Sequence, residues 1–313
     1  MKPNFFILGA AKCGSSSLYR YLDQHPDIAF STPKEPIFFE AEYEKGLDYY
    51  TATYFPNWNG EQRIGEARHR NLYLPYVPQR LYDSYPEAKL IVILRNPIER
   101  AFSDWLMRRR SGHESLDFDA AISSDLKRIE EGMDFSNPES ARSWQEHILL
   151  MRQFKGKAPS LGEKLPPYRF RTYLDSGYYA QQIERYLALF PRRQLKIVLL
   201  EDLSAKPQQI VSDIWRFLEI DSGITLGDRS ASNVGGKLAT QNSRRRLRAL
   251  LGDRLLAKIP ANIKQAAKSL FDRLAPDNPE ISPATRAFLV SHFAAHNRAL
   301  EALIDRDLSH WDQ

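Results

Sequence analysis

Residues 5–18 read FFILGAAKCGSSSL, an apolar run that breaks into a loop holding Gly9, Lys12 and Gly14, followed by three serines, Ser15, Ser16 and Ser17. Those residue types at that spacing suit anion binding. Backbone N–H groups at a helix start favour negative charge, small residues allow close approach, and a lysine adds a point charge with three donors. The flanking sequence must supply the scaffold. Phe5, Phe6, Ile7 and Leu8 fit a buried strand, and from Ser15 the apolar Leu18, Tyr21 and Leu22 recur at helical spacing until His25-Pro26. Gly9 and Gly14 also fit the spacing of the nucleotide-triphosphatase loop, G-x-x-x-x-G-K-[ST]. Ser15, however, stands where that loop has its lysine, and Lys12 lies inside the loop instead.

A loop that works with ATP and Mg²⁺ also needs a carboxylate at the end of a second hydrophobic strand. The best such strand, Lys89–Leu94, ends in Arg95-Asn96-Pro97, so a cation replaces the metal ligand. Pro97 suits a first helical turn, and Ile98, Ala101, Phe102 and Trp105 continue the helix. Arg95 then sits at the strand tip and Ser103 inside the helix, both within reach of a second anion. Two metal-poor anion sites imply a nucleotide with phosphates at two separate positions.

In this order and about eighty residues apart, the two motifs resemble those of sulfotransferases that use 3′-phosphoadenosine 5′-phosphosulfate (PAPS), and the resemblance covers nearly the whole chain. It implies an α/β fold of the three-layer P-loop type, with a central parallel sheet flanked by helices. It also implies PAPS as donor and 3′,5′-adenosine bisphosphate as product. Lys12, Cys13, Gly14, Ser15, Ser16 and Ser17 would form the 5′-phosphosulfate site, and Arg95 and Ser103 the 3′-phosphate site. The chain is most similar to the branch containing the heparan-sulfate-modifying enzymes and many bacterial homologues. That branch carries a glutamate shortly before a Phe-Phe pair, matched by Glu35-Pro36-Ile37-Phe38-Phe39. Further matches are Asp175-Ser176-Gly177-Tyr178-Tyr179-Ala180, the strand Ile197–Asp202 and the ending Asp307-Leu308-Ser309-His310-Trp311.

The resemblance makes Glu35 the general base and Lys12 the cation that meets the departing bisphosphate. Placed just before apolar Phe38-Phe39, Glu35 is expected to be partly desolvated with a raised pKa. Apart from the resemblance, it reads as a loop glutamate paired with Lys34. One stretch departs from the family: where the branch often has Glu-Lys-(Ser/Thr)-Pro-x-Tyr, this chain has Glu66-Ala67-Arg68-His69-Arg70-Asn71. Either Arg68 or His69 contacts the acceptor, or His69 shares the base role with Glu35, or the stretch is a surface turn. The acceptor pocket is expected to involve Phe38, Arg68, His69 and Arg108. A saccharide hydroxyl is implied by the branch, with a small natural product bearing a hydroxyl or amine as the alternative.

Strands are predicted at 5–10, 28–30, 63–66, 89–94 and 195–200, and helices at about 15–24, 76–84, 97–111, 117–131, 139–154, 177–190, 207–219 and 284–305. The alternation implies a parallel sheet. All 313 residues are read as one domain, with a variable acceptor and lid region at 107–172, a loop at 155–172 within it, and the C-terminal helix at 284–305. The segment 233–273 is strongly basic: Lys237, Arg244, Arg245, Arg246 and Arg248 open a run opposed only by Asp253 and Asp272. It is either a solvated helix face or, as the resemblance suggests, a cover for the nucleotide in which Ser243 and Arg244 touch the 3′-phosphate.

No run approaches the roughly 18 apolar residues of a membrane span, and the N-terminus enters the first strand without a signal-peptide pattern. A soluble, cytoplasmic enzyme without membrane partner is expected. The lone Cys13 cannot form an internal disulfide and reads as a small loop residue. His292 and His296 share helical rather than ligand spacing, so no metal is expected. Two other functions compete. A P-loop small-molecule kinase is disfavoured by Ser15 and Arg95. A non-enzymatic polyanion binder is disfavoured by the single aromatic, Phe271, in the basic run, which leaves nucleic-acid bases little to stack on.

Overall fold

The computed structural model describes residues 2–134, 171–227 and 279–313, with Arg142 and Glu146 between them. Five strands, β1 (Phe5–Gly9), β2 (Ile28–Phe30), β3 (Arg63–Ala67), β4 (Lys89–Leu94) and β5 (Leu195–Leu199), form one sheet in the order β2-β3-β1-β4-β5. Every pairing is parallel, with Phe5 beside both Gly65 and Lys89, and Leu94 beside Leu199. The helices are α1 (Ser15–Leu22), α2 (Gly46–Tyr54), α3 (Arg70–Tyr73), α4 (Val77–Ser84), α5 (Pro97–Ser111), α6 (Phe118–Glu130), α7 (Tyr179–Leu187), α8 (Leu200–Ala205), α9 (Pro207–Phe217) and α10 (Pro283–Ile304).

The inner strands β1 and β4 read as near-continuous apolar runs because helices cover the sheet: Phe5 to Leu8 and Leu90 to Leu94 are wholly buried. Each such side chain contributes about 1.5–3 kcal/mol on leaving water. A second cluster joins α5 and α6 to Tyr173, Leu174 and the α10 residues Leu289 and Phe293. Polar side chains within it are paired. Arg128 bridges Asp125 at 2.8 Å and Asp175 at 3.0 Å, and Tyr73 donates to Asp175 at 2.6 Å.

The strand order fixes where a ligand can sit. From β1 the chain crosses toward β2 and β3, whereas from β4 it crosses the other way to β5. Adjacent strands whose connections diverge leave a crevice beyond their carboxyl ends. Both sequence-predicted anion loops leave the sheet there, one between β1 and α1 and the other between β4 and α5.

All five strands and seven of the eight predicted helices stand within a few residues of expectation; the eighth, at 139–154, falls almost wholly outside the described residues, as does the loop at 155–172. Also outside is the whole basic segment 233–273, Ser243 and Arg244 included. The structure adds a π turn at Phe38–Glu42 and helices α2, α3 and α8. The surface turn weighed for Arg68-His69-Arg70 is corrected: Arg68 is buried, and Arg70 opens α3. Among the described residues no helix is long and apolar enough to cross a membrane.

Candidate active site

The β1–α1 loop is shaped by close approach. Gly14 has φ of +92°, a conformation that L side chains rarely adopt, and it packs beneath the Leu200 side chain of α8. Lys12 is a non-glycine at φ +66°, a conformation that L residues adopt at a cost. The amides of Ser17 and Leu18 bond the Gly14 carbonyl at 3.0 Å, while first-turn amides before them lack helical acceptors and suit an anion. Lys34 Nζ donates to Ser16 Oγ at 2.9 Å, placing a second lysine beside the loop.

Cys13 pins this loop from behind. Its Sγ lies 3.6 Å from the Tyr179 hydroxyl, which in turn donates to the Arg95 carbonyl at 2.9 Å. Burial pushes the thiol up to about 11, so it remains an inert loop residue, as its isolation in the sequence suggested. The Asp175–Ala180 segment thus ties the two anion loops together through Tyr179. At the second loop, Asn96 caps α5 by accepting from the Ile98 amide at 2.9 Å.

One cleft of about 620 Å³ joins Lys12, Gly14, Ser15, Ser16, Ser17, Arg95 and Ser103 with Glu35 and His69. That volume lies within the usual 300–1,000 Å³ range for a bound cofactor or ligand. Its cations are crowded: burial lowers the Lys12 pKa, Arg110 and Arg95 lower it further, and Asp104 opposes them. An incoming polyanion would relieve that repulsion.

Glu35 is held by two cations and an imidazole: Oε1 is 3.5 Å from His69 Nδ1 and 3.6 Å from Lys34 Nζ, and Oε2 is 3.3 Å from Arg68 Nη1. The expected rise in its pKa is therefore corrected. Burial alone pushes the carboxyl up, but the hydrogen bond and charge of His69, with Arg68 and Lys34, outweigh it and bring it to about 2. Phe38 and Phe39 both turn into the core. Phe38 is 0 % exposed and stacks on Tyr50 with ring centroids 4.4 Å apart. Phe38 therefore cannot touch an acceptor, which corrects its predicted role. Arg68 is engaged below the cleft, its Nε donating to Glu40 at 2.8 Å. Burial lowers the His69 pKa below 6.5 against the pull of Glu35, leaving the ring neutral at pH 7.

The sulfotransferase domain family matches residues 2–234. The chain belongs to this family. A sulfotransferase from Alicyclobacillus acidocaldarius, known from its crystal structure, is 30% identical, covers 100% of both chains and superposes with a TM-score of 0.67. The membrane-associated sulfotransferase kil1 of Dictyostelium discoideum is 26% identical over 280 residues, 74% of this chain. The human bifunctional heparan sulfate N-deacetylase/N-sulfotransferase 3 is 28% identical over 230 residues, 70% of this chain. The matches span 59% and 22% of those two relatives. The sulfotransferase family expected from the two motifs is the one found.

In this sulfotransferase several cleft residues carry no distinct sequence signal. Asp104, Met107, Leu200 and Ser204 line the cleft; Asp104 directly follows Ser103 on α5 and is buried. In the sequence Lys34 reads only as a partner for Glu35. Arg108 lines an adjoining cavity rather than the cleft, with Nε 3.3 Å from Asp104. Arg109 instead donates to the Ser115 carbonyl at 2.7 Å. Glu66 stays behind the site, receiving hydrogen bonds from Tyr50 and Asn71 at 2.6 Å, with burial raising it to about 7. Among the described residues no group of three or more His, Cys, Asp and Glu side chains could hold a metal. His296 stacks on Tyr178 at 3.8 Å, and His292 Nε2 lies 2.8 Å from the Tyr178 hydroxyl.

Proposed function

We propose that this chain transfers the sulfuryl group of PAPS to a hydroxyl or amine of a saccharide or small-molecule acceptor. The observation that carries this reading is the single cleft in which the Lys12 loop and the Arg95–Ser103 pair stand together with Glu35 and His69. Saccharides take precedence because relatives include the heparan sulfate N-sulfotransferases and carbohydrate sulfotransferase 15.

The residues divide the reaction between them. Lys12 and the amides of the β1–α1 loop hold the phosphosulfate, and Arg95 with Ser103 holds the 3′-phosphate. The acceptor atom forms a bond to sulfur while sulfur's bond to the bridging oxygen of the 5′-phosphate breaks. Charge accumulates on that oxygen, where Lys12 neutralises it. The acceptor proton goes to the Glu35–His69 pair. His69 lines both the cleft and the adjoining cavity, so its ring accepts the proton, and Glu35 at Nδ1 orients the ring and steadies the imidazolium. Fixed cations do the work that a metal does in ATP-dependent loops, so the reaction runs without one. Its lone, buried free thiol fits a cytoplasmic setting.

Radiolabelled PAPS supplied with saccharide and small-molecule pools in EDTA should yield a labelled acceptor, while γ-labelled ATP with Mg²⁺ should yield none. Phosphoryl transfer from ATP with no transfer from PAPS would overturn the proposal.

A further inference from the structure

The stretch Asp307-Leu308-Ser309-His310-Trp311 takes no part in the proposed transfer, yet its last residue touches three elements that wall the donor cleft. Trp311 is 2 % exposed and lies in the 3₁₀ turn Ser309–Asp312. Its carbonyl accepts from Asn96 Nδ2 at 3.1 Å, its indole Nε1 donates to Glu201 Oε1 at 3.0 Å, and its ring meets Tyr179 edge-on with centroids 6.4 Å apart.

Each partner stands next to a residue of the donor site. Asn96 follows Arg95 and caps α5, the helix that carries Ser103. Glu201 follows Leu200 on α8, from which Leu200, Leu203 and Ser204 line the cleft. Tyr179 reaches the β1–α1 loop at Cys13 and the β4–α5 loop at the Arg95 carbonyl. The turn is itself anchored. Asn297 of α10 donates to Asp312 Oδ1 at 2.8 Å, and the Leu308 amide donates to Glu301 Oε1 at 2.7 Å.

We propose that Trp311 is a positioning residue for the donor: it fixes the spacing of the β1–α1 loop, the β4–α5 loop and α8 at the width that a nucleotide with two separate phosphates needs. This rests on the proposed donor site and adds what holds that site in register. Strands β1, β4 and β5 are neighbours in the sheet, but the ladder stops at their carboxyl ends, and beyond it the loops depend on contacts beneath them. One rigid indole, with its own carbonyl, reaches all three elements there. Loops ordered before the ligand arrives cost less to order on binding. A ligand with a single phosphate meets one loop and is insensitive to the spacing, whereas a ligand that spans both loops is not.

The test is calorimetric titration of the full chain with 3′,5′-adenosine bisphosphate and with adenosine 5′-monophosphate, which lacks the phosphate assigned to Arg95 and Ser103. The unaltered chain should bind the bisphosphate at least about tenfold more tightly, as one charge-assisted contact allows, and Arg95→Ala should erase that margin. Asn96→Ser keeps a capping side chain for α5 but is too short to reach the Trp311 carbonyl. Trp311→Phe keeps a ring in the core but has no donor for Glu201. Each should weaken the bisphosphate about three- to tenfold, the range of one hydrogen bond, and leave the monophosphate little changed. Asn96→Ser leaves the core untouched and decides the matter if the indole substitution does not fold. Ile122→Val, in the second core cluster, should lower the melting temperature without altering either affinity.

No margin in the unaltered chain would overturn the two-phosphate donor reading and the inference that rests on it. A margin that Arg95→Ala erases but Asn96→Ser and Trp311→Phe leave intact would overturn the role of Trp311 alone. Equal weakening of both nucleotides in those two variants, or the same loss in Ile122→Val, would show general destabilisation and overturn it as well.

Discussion

His69→Ala should lower kcat by about 10²–10⁴, the usual loss when a positioned general base is removed, while leaving affinity for 3′,5′-adenosine bisphosphate largely intact. Its ring stands where the donor cleft meets the acceptor cavity, so the loss belongs to proton transfer rather than donor binding. The pH profile separates this role from a structural one. Burial lowers the His69 pKa below 6.5; the basic form is the active form, so the rate should rise with pH through a limb below 6.5 and level off by neutrality. Glu35 favours the imidazolium, so Glu35→Gln should move that limb to still lower pH and reduce the plateau as well. In His69→Ala the limb should vanish. Near-normal turnover in His69→Ala together with an inactive Glu35→Gln would show that the carboxylate takes the proton directly.

Lys12→Ala should lower kcat by about 10²–10³, the range seen when one donor to a developing oxyanion is lost. In the proposed reaction the loop that carries this lysine meets the departing phosphate, and burial lowers the lysine's pKa, with Arg110 and Arg95 acting in the same direction. Arg95→Ala should act differently, raising the donor Kd by about ten- to a hundredfold through loss of a charge-assisted contact, with a smaller change in kcat at saturation. Steady-state kinetics at varied PAPS concentration distinguish the two. Equal effects of both substitutions on kcat alone would contradict the assignment of Arg95 to the distant phosphate.

Those residues were readable because their signals are local. A glycine loop between an apolar strand and a helix, and a strand ending in Arg-Asn-Pro, each declare an element and its tip within a dozen residues, and β1, β4, α1 and α5 stand where their periodicity placed them. Glu35 lines the cleft with the motif residues, but its electrostatics were not readable, since two of the three basic side chains around it, Arg68 and His69, come from beyond the end of β3. Sequence adjacency to Phe38 suggested an apolar setting, yet a π turn sends both phenylalanines into the core. α2, α3 and α8 escaped because short helices are decided by tertiary packing more than by pattern. The cavity lined by Arg70 and Arg108 was illegible for a similar reason: its lining comes from α3 and α5, elements too far apart in the chain for local spacing to encode.

The most direct test of the central claim is thermal unfolding in EDTA with 3′,5′-adenosine bisphosphate, set against ATP with Mg²⁺. The bisphosphate at about 100 times its Kd should stabilise the folded chain by roughly 2.7 kcal/mol without any metal, and ATP with Mg²⁺ at the same concentration should do much less. No stabilisation by the bisphosphate, equal stabilisation by both nucleotides, or a strict need for Mg²⁺ would contradict the assignment of Lys12 and Arg95 to a donor with two separated anions.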